Sequence, residues 1–252
     1  MNLESLPRPV VFAHRGASAH APENTIASFE LALAQGADAI ELDVKLSTDG
    51  YVIVHHDSTV DRTTDGKGKI QDLSLSALKK LDAGSSFSAN FRGEKIPTLE
   101  EVFEALGKRT FINVELTNYK TPSDHLVEAV CMLVKKHQMQ KRVLFSSFLA
   151  SNLSKARSYL PDVPRGLLAL RGILGIWARS FGFVFGKYQA LHPYLSDMTQ
   201  QEVARVHRLN RRIHVWTVND EQDIRRLFGW GVDGIFTDDP QRALRIRTEC
   251  SK

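Results

Sequence analysis

Short β-branched apolar runs alternate with amphipathic helical stretches along nearly the whole chain, and this rhythm narrows the possible folds more than any other feature. Candidate strands lie at residues 10–14, 39–44, 110–116, 142–146, 166–170, 189–192, 213–218 and 234–237. Between them, Ile26, Phe29 and Leu33 share one helical face, as do Leu126, Val130, Leu133 and Val134, and again Ile224, Leu227 and Phe228. Ser123 or Asp124, Thr199, Asp220, and Asp239 before Pro240 read as helix starts. Eight strands alternating with eight helices predict an α/β fold, a closed (β/α)8 TIM barrel; an open doubly wound sheet shares the same periodicity. The extra run 51–56 follows Asp49-Gly50, a hairpin signal, and is expected to pair back on the second barrel strand. Residues 57–97 break the rhythm and read as a small insertion within a single barrel over residues 1–252.

At 252 residues, 42% hydrophobic and 25% charged, the chain can bury a substantial core without staples. Cys131 and Cys250 form neither a disulfide framework nor a thiolate metal motif. Residues 1–9 lack an apolar leader segment and no run is long enough to span a membrane, so a cytoplasmic setting is expected. The net charge of +4 arises largely from arginines between 179 and 247, which read as solvated helix faces. No basic stripe is interleaved with aromatics, so no nucleic-acid partner is expected. Oligomeric state stays open.

Catalytic groups of a parallel barrel come from the C-terminal ends of its strands. Here those ends are polar. Alternation puts Glu41 and Asp43 on one face of the second strand while Ile40, Leu42 and Val44 take the other. On the next barrel strand it pairs Asn113 with Glu115, opposite Ile112, Val114 and Leu116. Three converging carboxylates cannot all stay ionised without a cation or a basic partner, and an all-oxygen set suits Mg2+ or Ca2+. Nearby stand His14-Arg15-Gly16 and His55-His56-Asp57. Imidazoles can move protons near neutral pH, and Arg15 can hold phosphate oxygens in a fork. Parity groups His56 with Val54 and sets His55 opposite, without deciding which face matters.

The ordered set His14-Arg15-Gly16, Pro22-Glu23-Asn24-Thr25, Glu41-x-Asp43, His56-Asp57, Asp61-Arg62-Thr63-Thr64 and Gly66-x-Gly68 resembles the signature of the glycerophosphodiester phosphodiesterase family. Asn113-Val114-Glu115-Leu116, Phe145-Ser146-Ser147-Phe148, Trp216-Thr217-Val218-Asn219 and Asp233-Gly234-Ile235 extend the likeness over roughly residues 11–240. The resemblance implies a TIM barrel with an insertion after the second strand and one divalent cation on Glu41, Asp43 and Glu115. It implies His14 and His56, rather than His55, as the acid–base pair, with either able to act as base. Arg15 would contact phosphate, and Trp216 would face the substrate or simply fill the barrel. The implied reaction yields sn-glycerol 3-phosphate and an alcohol, through a cyclic glycerol phosphate.

One departure stands out: relatives often carry lysine two residues after the third carboxylate, where this chain has Thr117, with Lys120 the nearest substitute in sequence. The apolar stretch 173–185 reads either as a packed barrel helix or as a hydrophobic lid that would admit a lysophospholipid beside a small head group. Rival readings are a barrel that binds phosphorylated ligands without turnover, a lyase that stops at a cyclic phosphate, and an aldolase or isomerase. The last lacks an obvious Schiff-base lysine or late phosphate-binding glycine loop.

Overall fold

The computed structural model describes residues 2–250. In chain order the sheet comprises β1 (Val10–Ala13), β2 (Ala39–Leu46), β3 (Val52–Val54), β4 (Phe111–Leu116), β5 (Val143–Ser147), β6 (Arg165–Ala169), β7 (Ala190–Pro193), β8 (Arg212–Val215) and β9 (Gly234–Thr237). All but β3 pair in parallel, and β1 bonds to both β9 and β2, which closes the ring and excludes the open sheet. β3 runs antiparallel to β2 with Val44 opposite Val54, the hairpin expected after Asp49-Gly50.

The helices α1 (Ile26–Ala34), α2 (Leu75–Leu78), α3 (Leu99–Leu106), α4 (Leu126–Lys136), α5 (Ala150–Tyr159), α6 (Phe183–Phe185), α7 (Gln200–Arg208), α8 (Glu221–Gly229) and α9 (Pro240–Cys250) follow their strands with one exception. After β6 no full helix forms: a 3-10 turn, a kinked π-turn and the single turn of α6 cover 172–185. Thr199 and Asp220 cap α7 and α8 as expected. At α4 the cap residue is His125, and Asp124 accepts the Leu126 amide instead. Residues between β3 and α3 gather Ile70, Leu78, Ala83 and Ile96 around Ile53 and Val60 in a small core of their own. Most late arginines sit on helix faces, as in the exposed Arg225–Glu221 pair, but Arg212 is buried on β8 and reaches Glu4.

Strand alternation builds two cores. Val11, Ala13, Ile40, Leu42, Ile112 and Val114 face the helices, while Val10, Phe12, Phe111 and Leu144 fill the barrel with Leu3 and Leu6 from the N-terminal turn. Inside the barrel Phe12 and Phe236 stack at 4.7 Å and pack against His214 and His192. Gly166 clears space for this layer, because a Cβ there would lie 2.4 Å from the His192 ring.

His192 Nε2 and His214 Nδ1 share one hydrogen bond at 3.1 Å, so one ring donates and the other accepts. Burial holds the His192 pKa down to about 3 and, with His192 beside it, that of His214 well below its ordinary value. The unfolded chain takes up both protons near its ordinary pKa of about 6.5 while the native barrel refuses them. The stabilisation is therefore complete above that pH and declines as pH falls toward the folded pKa of His192, about 3, by up to about 1.4 kcal/mol per unit per imidazole. Proton–nitrogen correlation spectra near pH 5 should find both rings neutral and the fold less stable than at pH 7. Two imidazolium signals from the folded protein at that pH would contradict this.

Candidate active site

The first strand ends in a tight reversal. Arg15 (φ 57°) and Gly16 (φ 86°) both take left-handed backbone, and a Cβ at Gly16 would fall 2.2 Å from Ser28 Oγ, so only glycine fits there. The turn aims the Arg15 amide at Glu41 Oε2 (3.0 Å) and lays its guanidinium against Glu23 (3.0 Å) and Asp43 (3.4 Å). Glu23 is held in turn by Arg62 from the segment after β3. Asn24, also left-handed, clamps Asp43 by donating from its side-chain amide at 2.9 Å. Thr25 then caps α1.

Register brings the carboxylates together. β2 and β4 pair Glu41 with Asn113 and Asp43 with Glu115, and one oxygen from each of the three acids lies within 4.8 Å of the others. Tyr119 donates to Glu115 at 2.7 Å. Burial, and then the neighbouring carboxylates, push Glu41 well above the usual carboxylate range. Burial and Asp43 push Glu115 up to about 8. Burial also works against Asp43, but Arg15, His56 and the Asn24 hydrogen bond outweigh it and keep that group ionised. Glu41 Oε1 is fully buried and has no hydrogen-bond partner. Close oxygens, two carboxyls whose charged forms burial disfavours and one orphaned oxygen fit a hard divalent cation.

The histidines come from two different strand ends, those of β1 and β3. His14 Nδ1 lies 2.6 Å from Asp238, which follows β9 and is also held by Ser18 and Asn219. Asp238 is half-buried, which works against its charge, yet its His14, Asn219 and Ser18 bonds hold its pKa down at about 2. Just past β3, the His55 amide bonds to the Asp43 carbonyl at 2.9 Å, and His56 Nδ1 lies 2.7 Å from Asp57. Arg62 anchors Asp57 and, with His56, keeps it below the usual carboxylate range. An ionised aspartate on Nδ1 favours the tautomer with its proton there, which leaves Nε2 as the acceptor nitrogen of each ring. His55 is buried and its Nε2 meets the Thr59 carbonyl, so it has no place in this cluster.

His14, Arg15, Glu41, Asp43, His56, Glu115 and Trp216 all line one cavity of about 230 Å3, together with Asn113, Phe148, His192 and Phe236. Trp216 sits one residue beyond β8, bridged to Tyr194, and its indole donates to the His192 carbonyl at 2.8 Å.

The model of the glycerophosphoryl diester phosphodiesterase family matches residues 14–242. The chain belongs to that family. It is an enzyme of that class, a phosphoric diester hydrolase. The chain is 38% identical over 240 residues to the glycerophosphodiester phosphodiesterase of Caldanaerobacter subterraneus subsp. tengcongensis, covering 95% of this chain and 98% of that one. A phosphodiesterase from Oleispira antarctica, solved in complex with the product sn-glycerol-3-phosphate, superposes with a TM-score of 0.88 at 34% identity over 96% of this chain and 97% of its own. The glycerophosphodiester phosphodiesterase of Agrobacterium tumefaciens gives 0.81 at 31% identity over 94% and 99%.

Several contributors escape the motif reading. Asp238 reaches the cluster only through a tertiary contact with His14, and Tyr119 lies just past the motif that holds Glu115. Lys45 shares the inward parity of Glu41 and Asp43, and its ammonium donates to Thr117 Oγ1 (2.7 Å) and the Thr117 carbonyl (3.0 Å). Lys120 bonds to Ser58, and Lys45, Thr117 and Lys120 all line a groove that adjoins the cavity at His56.

Cation binding has to displace the protons that burial places on Glu41 and Glu115. At pH 7 the calorimetric heat of Mg2+ or Ca2+ binding should therefore depend on the ionisation heat of the buffer. The same heat in every buffer would show that both glutamates are already ionised.

Proposed function

We propose that the chain hydrolyses glycerophosphodiesters to sn-glycerol 3-phosphate and an alcohol, with Mg2+ or Ca2+ on Glu41, Asp43 and Glu115 and with His14 and His56 exchanging protons. The paired histidines carry this reading: each Nδ1 is committed to an aspartate, and the two rings flank the carboxylate trio in one cavity. A bound cation would neutralise phosphate oxygens and acidify the attacking hydroxyl. Arg15, already oriented by Glu23, offers its guanidinium to the phosphate. One imidazole takes the proton of the attacking hydroxyl, from the glycerol 2-position or from water, at Nε2. As the bond from phosphorus to the leaving oxygen breaks, the other delivers its Nε2 proton to that alkoxide; where the 2-hydroxyl attacked, water then opens the cyclic phosphate with the two histidine roles exchanged, giving the monoester. Trp216, edge-on to Phe148 at 5.5 Å and Tyr194 at 5.0 Å, gives the glycerol carbons an apolar wall.

Residues 57–97 belong, in this reading, to a single barrel domain as an insertion that brings Asp57 and Arg62 to the site. The leaving alcohol is a small head group or a lysophospholipid. A cytoplasmic setting fits the two unpaired cysteines. Oligomeric state carries no part of the proposal.

Glycerophosphocholine hydrolysis tests the scheme directly. Chelation should abolish turnover, and Mg2+ or Ca2+ should restore it. His14→Ala and His56→Ala should each lower kcat by about 10²–10⁴-fold. Turnover that survives both substitutions, or that ignores the chelator, would overturn the assignment.

Lys45, which bonds to Thr117 across the sheet, is in this reading the stand-in for the phosphate-facing lysine that many relatives carry at the position of Thr117. Lys45→Ala should lower kcat/KM by about tenfold, the scale of one charge-assisted hydrogen bond. Adding Thr117→Lys to that variant should recover most of the loss. Absence of rescue would assign Lys45 to strand packing alone.

A further inference from the structure

The segment after β6 reverses the usual logic of an amphipathic element. Its buried positions are mostly small, at Gly175, Ala178 and Gly182, with Phe183 as the one large anchor. Its large apolar side chains point outward: Ile173 is 81% exposed, Leu174 76%, Trp177 56%, Phe181 69% and Phe185 78%. A surface element in water buries such residues, and a contiguous apolar patch of this kind marks an interaction surface.

The base of the segment is nonetheless tightly held. Arg179 pairs with Asp197 at 2.7 Å and donates to the carbonyls of Leu170 and Gly172. Arg211 lies over the Phe183 ring at 4.9 Å and donates to the Phe183 carbonyl. The exposed side chains are therefore presented by a fixed scaffold. Phe181 and Phe185 stack nearly parallel at 6.1 Å along its outer side.

Two further observations identify the occupant. Residues 165–187 carry Arg165, Arg171, Arg179 and Lys187 and no acidic residue, and the two exposed cations, Arg171 and Lys187, flank the apolar patch. Bulky apolar groups bordered by cations complement the interface of an anionic bilayer. The patch also adjoins the barrel mouth: Leu168 lines the cavity, and Arg171 lies 5.6 Å from the Tyr194 ring, which packs on Trp216. We propose that residues 173–185 are an interfacial arm that seats the open end of the barrel on an anionic phospholipid surface. Among the described residues no helix is long and apolar enough to cross a membrane, so this contact is peripheral. Access to glycerophosphodiesters released at a membrane would follow, but docking itself requires no turnover.

Cosedimentation with large unilamellar vesicles, in chelator, reads docking without catalysis. The whole chain should pellet with vesicles of phosphatidylcholine mixed with phosphatidylglycerol, and far less with phosphatidylcholine alone. Its tryptophan emission should shift to the blue, and Trp177→Phe should remove that shift. Phe181→Asp combined with Phe185→Asp should weaken vesicle affinity by about tenfold or more. The same variant should hydrolyse glycerophosphocholine at the parent rate, which verifies its fold. Wild-type chain left in the supernatant with both vesicle types would overturn the proposal. So would vesicle binding that survives the double substitution, or a wild-type dimer in sedimentation velocity that the substitution dissolves, since the patch would then belong to a second copy. Vesicle binding by a chain without diesterase activity would leave the arm standing and remove the hydrolytic reading instead.

Discussion

The buried meeting of three carboxylates with one guanidinium governs the rest of this molecule. Glu41, Asp43 and Glu115 face each other across β2 and β4, where burial alone would strip their charge. Arg15 offsets part of that cost by bonding to Glu41 through its backbone and approaching Asp43 through its side chain. The arrangement leaves Asp43 ionised and Glu41 and Glu115 forced toward the neutral form. Such a site is under-neutralised by its own residues, an imbalance that a divalent cation would relieve.

Much of the surrounding polar structure keeps this cluster in shape. Glu23 and Arg62 tie Arg15 to the insertion, Asn24 fixes Asp43, and Tyr119 fixes Glu115. The same insertion supplies Asp57 and so orients His56, while Asp238, at the far end of the barrel order, orients His14. Closure of the ring between β1 and β9 is what brings residues 14 and 238 within hydrogen-bond distance. Below them the neutral pair His192 and His214 and the stacked phenylalanines close off the barrel interior.

The strands were legible because a residue on a barrel strand must alternate between helix-facing and interior positions, a constraint written directly in Ile40-Glu41-Leu42-Asp43-Val44. Strand ends agreed to within a few residues, and Thr199 and Asp220 capped their helices because capping is local chemistry. For the segment after β6 the sequence left a packed helix and a hydrophobic lid both open: apolar content signals burial, but burial depends on what lies opposite, and nothing among the described residues covers its large side chains. His56 could not be chosen over His55 by parity, since β3 ends at Val54 and alternation no longer governs the residues beyond it. Lys120 looked closest to the missing lysine at 117 because sequence distance was the only ruler; across the sheet, Lys45 is nearer.

By itself the sequence determined the barrel periodicity, the inward parity of Glu41, Asp43 and Glu115, and the family signature around His14 and His56. These follow from dihedral periodicity and from motifs whose members are close in the chain. Tertiary structure alone decided that the sheet closes, that Asp238 holds His14, that burial disfavours the charged forms of Glu41 and Glu115, and that the 173–185 arm faces outward. Those properties arise from distances between residues tens to hundreds of positions apart and from the water that folding excludes, and neither is encoded in any local stretch of chain.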